Sequence, residues 1–215
     1  MRINRYLALN KYATRRGADK LIEAGLVSVN GRLAKIGETV AETDRVEVRQ
    51  TKKPKTYTYL AYHKPKGEVT HSPVSGLFPL GRLDKDSSGL LLLTDDGRVT
   101  DRLLNPEHPH EKEYVVTSRE PLRSNFPRQM SGGVDIGDCV TLPCQVEAIN
   151  DQTFRIILTE GKKHQIRRMC AALRTDVTDL TRVRIMNIRL GKLAQGTHRP
   201  LTATELSTFL KSLGL

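Results

Sequence analysis

The sequence predicts an α+β fold in two parts. A small basic module of two helices and short strands is followed by a larger domain on a mixed, mainly antiparallel sheet. Three observations lead there. The polar, proline-broken stretch QTKKPKT at residues 50–56 separates segments of different charge and pattern. Downstream of it, strand-like and helix-like runs do not strictly alternate, which argues against a doubly wound parallel sheet. The run Leu90-Leu91-Leu92-Leu93 reads as a strand buried on both faces. At 215 residues, one or two domains are expected; the boundaries read as 1–50, a linker at 51–56, and 57–215.

The elements follow in order. Ile3, Tyr6, Leu7 and Leu9 have rough helical spacing, and Leu21 and Ile22 sit in a second helix over 19–24 that stops at Gly25. Val27-Ser28-Val29 and Arg32-Leu33-Ala34 flank Asn30-Gly31, a hairpin signal because both turn residues tolerate positive φ. Val46-Glu47-Val48 is one more short strand. In the larger domain, strands are expected over 57–62, 90–94, 114–117, 144–149, 154–158 and 183–188. Helices are expected over 98–105, 124–130, 164–173 and 203–213, the last opened by Thr202 and Glu205 as a capping box.

Composition narrows the function. No apolar run approaches a membrane span, and the start MRINR lacks the apolar stretch of a secretory signal. Cys139, Cys144 and Cys170 are odd in number and never spaced C-x-x-C, so a disulfide framework and a cysteine-rich zinc site are not expected, and a reducing cytoplasm fits. The six histidines make no metal spacing, and no phosphate-binding loop or dinucleotide fingerprint occurs, so neither metal nor cofactor is expected. The net charge of +11 favours a polyanion. Residues 1–55 carry thirteen basic and six acidic side chains, 56–154 carry ten and fourteen, and 155–199 carry eleven and three. Without a strongly basic amphipathic helix, nucleic acid ranks above a membrane surface.

Two segments could carry chemistry. Gly81-Arg82-Leu83-Asp84-Lys85-Asp86-Ser87-Ser88-Gly89 is a glycine-bounded loop feeding the four leucines, and a loop pinned by a buried strand is a rigid platform. Asp84 stands between Arg82 and Lys85, whose charges favour an ionised carboxylate and hence a nucleophile; an ordinary turn aspartate is the plain alternative. In EGKKHQIRRM, residues 160–169, Ile166, Met169, Cys170 and Leu173 share a core-facing helical side. Arg167 lies on the flank of that helix, and Arg168 points away, toward solvent or a phosphate. Lys162 and Lys163 precede the helix start, where amides and positive charge suit phosphate. Tyr114 opens a strand and by itself reads as a half-buried sheet residue.

Taken together, GRLDxxxxGLLLLTxDG, KEY, EGxxHQIRRM, RIxNIxL and RPLTxxEL resemble the RsuA/RluB/RluE/RluF family of RNA pseudouridine synthases. The stretch RINRYL followed by TRRGADKLIEAGLVSVNG resembles an S4 RNA-binding domain, and the likeness runs over nearly the whole chain in the family's order. The resemblance implies an S4-like domain joined to a pseudouridine synthase domain. It places the catalytic aspartate on Asp84, the active-site tyrosine on Tyr114 and the active-site basic residue on Arg167. HEKEYVVT and RIMNI are most similar to the RluF branch, which modifies large-subunit ribosomal RNA. His63 stands where the family usually has Asn, and no basic tail follows the last helix.

The implied reaction breaks the N1–C1′ bond of a flipped-out uridine, turns the base and joins C5 to C1′. Asp84 acts on C1′ or on the base, Arg167 pairs with Asp84, and Tyr114 stacks on the base. Arg82 fills the gap left by the base, and Lys162, Lys163 and Arg168 meet the backbone. Arg2, Arg5, Lys11, Arg15, Arg16 and Arg32 supply phosphate contacts from the S4-like domain. The expected partner is ribosomal RNA or a ribosomal particle, with transfer RNA a further candidate, and the expected state is a cytoplasmic monomer. The competing readings are an S4-type RNA-binding or ribosome assembly factor without catalysis, and the same chemistry on small-subunit RNA or transfer RNA.

Overall fold

A computed structural model describes residues 1–49, 56–105 and 107–215. The linker expected at 51–56 lies outside these residues except for Thr56. The described chain divides into two compact units, Met1–Tyr57 with Asp96–Asp101, and Thr58–Asp95 with Arg102–Leu215.

The first unit opens with α1 (Ile3–Leu9) and α2 (Arg15–Glu23). Ile3, Leu7, Ala18 and Ile22 point from the two helices onto Val27, Val29 and Val40, and this aliphatic cluster is the unit's core. α2 begins earlier than its apolar spacing suggested, because the Thr14 side chain accepts the Gly17 amide at 3.1 Å and caps the helix there. Three short strands, β1 (Val27–Val29), β2 (Arg32–Leu33) and β3 (Val46–Val48), form an antiparallel sheet in the order β2-β1-β3. Asn30 and Gly31, with φ of 49° and 82°, make the β1–β2 turn that the Asn-Gly pair foretold.

α3 (Arg98–Leu104) begins within the Asp96–Asp101 segment. The second unit is built on β4 (Tyr59–Lys64), β5 (Phe78–Leu80), β6 (Ser88–Thr94), β7 (Lys112–Ser118), β8 (Gln145–Ala148), β9 (Thr153–Leu158), β10 (Val177–Ile185), β11 (Ile188–Arg189) and β12 (His198–Pro200). Its helices are α4 (Phe126–Ser131), α5 (Gln165–Ala172) and α6 (Ala203–Ser212). The sheet runs β12-β4-β6-β10-β7-β9-β8, with β5 on β6 and β11 on β10. Its pairings are antiparallel except β6 with β10, so the α+β class holds. All seven residues of β6 are buried, as the leucine run implied. Leu91 and Leu93 pack with Leu60 and Tyr62 on one face. Ile166, Met169 and Cys170 of α5 join Phe154, Ile156 and Phe126 in a separate core cluster.

β10 starts earlier than the strand expected at 183–188, which the structure divides between β10 and β11. Its alternation is broken by a register shift between Arg182 and Arg184 against β7, which hid its length from pattern reading. β5 and β12 were not expected at all. Each has three residues and contains a proline, Pro79 or Pro200, a composition that reads as loop and is tolerated only at strand edges.

Candidate active site

Residues 82–87 form a loop that runs into β6, and carbonyls along the loop and the start of the strand are held by side chains and amides from elsewhere. The Arg82 carbonyl accepts Nη1 of Arg182 at 3.4 Å, and the Leu83 carbonyl accepts the Thr70 hydroxyl at 2.8 Å. Asp84 closes a turn by accepting the Ser87 amide at 3.1 Å. The Lys85 carbonyl accepts the Gly67 amide at 2.8 Å, and the Ser87 carbonyl accepts Nζ of Lys64 at 2.8 Å. The Asp86 carbonyl accepts Nη2 of Arg167 at 2.8 Å, and the Leu90 carbonyl accepts Nε of Arg182 at 2.7 Å. Three cations from three separate elements therefore grip one loop, which is how a turn becomes a rigid support for a reacting side chain. Lys64 is 1% exposed. Burial pushes its ammonium down from the usual lysine range, while Glu68, Asp84 and Asp86 pull it back.

Above this loop lies a cavity of about 1100 Å³ whose walls include Asp84, Tyr114 and Arg167. The three side chains singled out from the sequence thus reach one hollow from a loop, a strand and a helix. The Asp84 side chain keeps 40% of its surface exposed, so its carboxylate is open to a ligand. Tyr114 stands on the β7 face that also carries Lys112, directly across from Arg182 on β10. Arg82, Lys162 and Lys163 line the same cavity. The cavity's lysines and arginines number six, against the two carboxylates Asp84 and Glu160, so the hollow suits an anionic ligand.

The expected Asp84–Arg167 ion pair is not formed. The Arg167 guanidinium is taken up by the Asp86 carbonyl at 2.8 Å and, at 3.4 Å, by the Val177 carbonyl. The basic side chain beside Asp84 is instead that of His164, whose Nε2 lies 3.6 Å from Oδ1. His164 adopts a left-handed conformation, φ 52°, immediately before α5, which turns its ring back over the loop. Gln165 is buried; its Nε2 donates to Glu160 at 2.7 Å and its Oε1 accepts the Lys162 amide at 2.8 Å, fixing the stretch that presents Lys162.

Arg168 lies outside the cavity lining, paired with Asp138 at 2.5 Å and with the Ile136 carbonyl. In the first unit, Arg2, Arg5, Lys11, Arg15, Arg16 and Arg32 are all exposed. Arg32 already holds an ion pair with Glu38. His63 Nδ1 donates to the Leu193 carbonyl at 2.7 Å, and the residue is not part of the cavity wall. Sequence reading missed Lys64, Lys112, His164 and Arg182. For Lys64, a cation inside a strand otherwise built of buried residues, the signal was available, since such a group must find partners or a function.

Comparison with known proteins follows the same lines. A family model described as RNA pseudouridylate synthase matches residues 58–172, and an S4 domain model matches 1–46. The chain belongs to the RNA pseudouridine synthase family. It is 38% identical to the dual-specificity RNA pseudouridine synthase RluF of Escherichia coli K12, over 98% of this chain and 79% of that one. It is 36% identical to ribosomal small subunit pseudouridine synthase A of Pasteurella multocida, over 98% of this chain and all of the relative. A crystal structure of a pseudouridylate synthase superposes with a TM-score of 0.70 at 30% identity, covering 97% of this chain and 99% of the other. This chain is accordingly an RNA pseudouridine synthase with RNA as its substrate. Among the described residues no helix is long and apolar enough to cross a membrane.

Proposed function

We propose that this synthase isomerises a uridine of large-subunit ribosomal RNA, acting as a cytoplasmic monomer. The observation that carries the catalytic assignment is the meeting of Asp84, Tyr114 and Arg167 in one positively framed cavity. Residues 1–50 serve as the S4-like RNA-binding domain, 51–56 as its linker and 57–215 as the catalytic domain. Arg2, Arg5, Lys11, Arg15 and Arg16 supply phosphate contacts through exposed side chains.

In the cavity the uridine stands outside its stack, and Tyr114 faces the base. The Asp84 carboxylate attacks C1′ or the base, so that the N1–C1′ bond breaks and its electron pair goes to the base. The base turns, C5 bonds to C1′, the bond to Asp84 breaks and returns its electron pair to the carboxylate, and the C5 proton leaves while N1 takes up a proton from solvent. Arg167 preserves the geometry of this step by holding the Asp86 carbonyl two residues from Asp84. Lys162 and Lys163 meet the RNA backbone at the rim.

The likeness to RluF supports the large subunit, and the likeness to the small-subunit synthase supports a second reading with the same chemistry on small-subunit RNA. Carbodiimide-dependent reverse-transcription stops, mapped over all ribosomal RNA from cells with and without this gene, separate the two. Loss of one or more stops in large-subunit RNA is expected. Loss confined to small-subunit RNA selects the second reading, and unchanged maps in both subunits contradict both.

A further inference from the structure

Among the described residues, four buried side-chain nitrogen or oxygen atoms have no hydrogen-bond partner: His63 Nε2, Arg167 Nε, Arg182 Nη2 and Asn187 Oδ1. Two of them, on Arg167 and Arg182, belong to arginines of the cavity wall. Arg182 is the sharper case, because the whole residue is only 3% exposed. Its Nε goes to the Leu90 carbonyl and its Nη1 to the Arg82 carbonyl, which brackets the Asp84 loop. Nη2 is left over. A buried guanidinium N–H with nothing to donate to bears its desolvation cost uncompensated. Such a cost is carried where a ligand completes the bond.

The sequence sets this side chain there by two devices. The register shift after Arg182 lets Arg182 and Ile185 both line the cavity while Arg184 leaves for the ion pairs with Glu111 and Glu113. Gly89, paired with Arg182 in the parallel ladder, lets the two backbones close: a Cβ there would sit 2.3 Å from the Arg182 carbonyl oxygen. Lys112 lines the same wall, where burial and then the neighbouring charge of Arg182 push its ammonium down. The two cations concentrate positive potential beside Tyr114.

We propose that Arg182 is a catalytic residue whose Nη2 donates a hydrogen bond to a carbonyl oxygen, O2 or O4, of the uracil in the cavity. This rests on the reading of the cavity as a uridine pocket. A flat base carbonyl reaches a deeply buried donor at lower desolvation cost than a fully charged phosphate. Guanidinium donates only, so a bond to O4 favours uracil over cytosine, whose amino group there is itself a donor, while a bond to O2 orients the base without choosing between them. Whether Asp84 meets C1′ or the base, the electrons displaced collect on the base carbonyls before C5 bonds to C1′. A donor fixed in advance therefore strengthens as the transition state forms.

The test uses the full chain and a short RNA bearing the mapped site as 5-tritiated uridine, 2-thiouridine or 4-thiouridine, read by single-turnover tritium release. Sulfur is the poorer acceptor, so wild type should lose roughly tenfold with one of the two thio-RNAs. Arg182→Lys should be slower by about 10–100-fold on uridine and should show no added loss with that same thio-RNA. RNA affinity should be unchanged, which separates this role from support of the loop alone. Equal wild-type rates on all three RNAs overturn the inference, even where the Arg182→Lys chain does not fold. So does a thio penalty that persists in full in the variant. No tritium release from the uridine RNA by wild type overturns the uridine-pocket reading, and this inference with it.

Discussion

Asp84 has the accessibility of a reactive group and the surroundings of a fixed one. Its side chain is 40% exposed, while hydrogen bonds hold the carbonyls on either side of it. Replacing it with Asn keeps shape and removes charge, so Tm should stay within about 1–2 °C while turnover falls by roughly 10³-fold or more. Thermal melts and single-turnover assays check both halves. The cysteines give a second expectation at this scale. Burial pushes the Cys170 thiol up to about 12 and Cys144 to about 11. Iodoacetamide at pH 8 should leave both unmodified in the native protein and label both after unfolding, as peptide mass mapping would show. Asp84, Tyr114 and Arg167 were legible as a set because their motifs resemble a family; local chemistry alone left Asp84 open between a nucleophile and an ordinary turn residue. Arg182 and Lys112 were not legible, because a cation in a strand carries no mark of whether it faces solvent, a carbonyl or a ligand.

Elements with strong local signals matched expectation, and those without did not. The Asn30-Gly31 hairpin and the Thr202–Glu205 capping box are both present, each dictated by residues three or fewer apart. β5, β12 and the early part of β10 depend on partners distant in sequence, so no local pattern announced them. Two tests belong here. Gly89→Ala puts a Cβ against the Arg182 backbone at a φ of 113°, so it should destabilise by more than about 3 kcal/mol in urea unfolding and abolish turnover. In α6, Arg199 holds the Glu205 carboxyl down at about 2, and the Thr202 amide adds to this. The folded carboxyl titrates below its unfolded range, so its contribution is present above about pH 4.5 and is lost as pH falls toward 2. Glu205→Gln should cost on the order of 1–3 kcal/mol at pH 7, with the difference from wild type shrinking across that acid window.

For the whole chain, charge sets the terms of RNA binding. A net charge of +11, with its excess at 1–55 and 155–199, should make affinity for RNA strongly dependent on salt. Binding isotherms between about 50 and 200 mM salt should weaken by roughly 10²–10⁴-fold, and Arg15→Ala with Arg16→Ala should reduce the slope. A flat salt response would remove the phosphate contacts from the account. The two-part organisation was readable from the change in composition near residues 50–56, whereas the mixed sheet order was not, since pairing of β6 with β10 joins residues more than ninety positions apart. The central claim is that the Asp84 carboxylate turns uridine into pseudouridine. It is met most directly by tritium release from C5 of the mapped uridine, with wild type and Asp84→Asn compared at saturating enzyme. The account predicts release by wild type and none above background by the folded, RNA-binding variant. Release by that variant at the wild-type rate would contradict it.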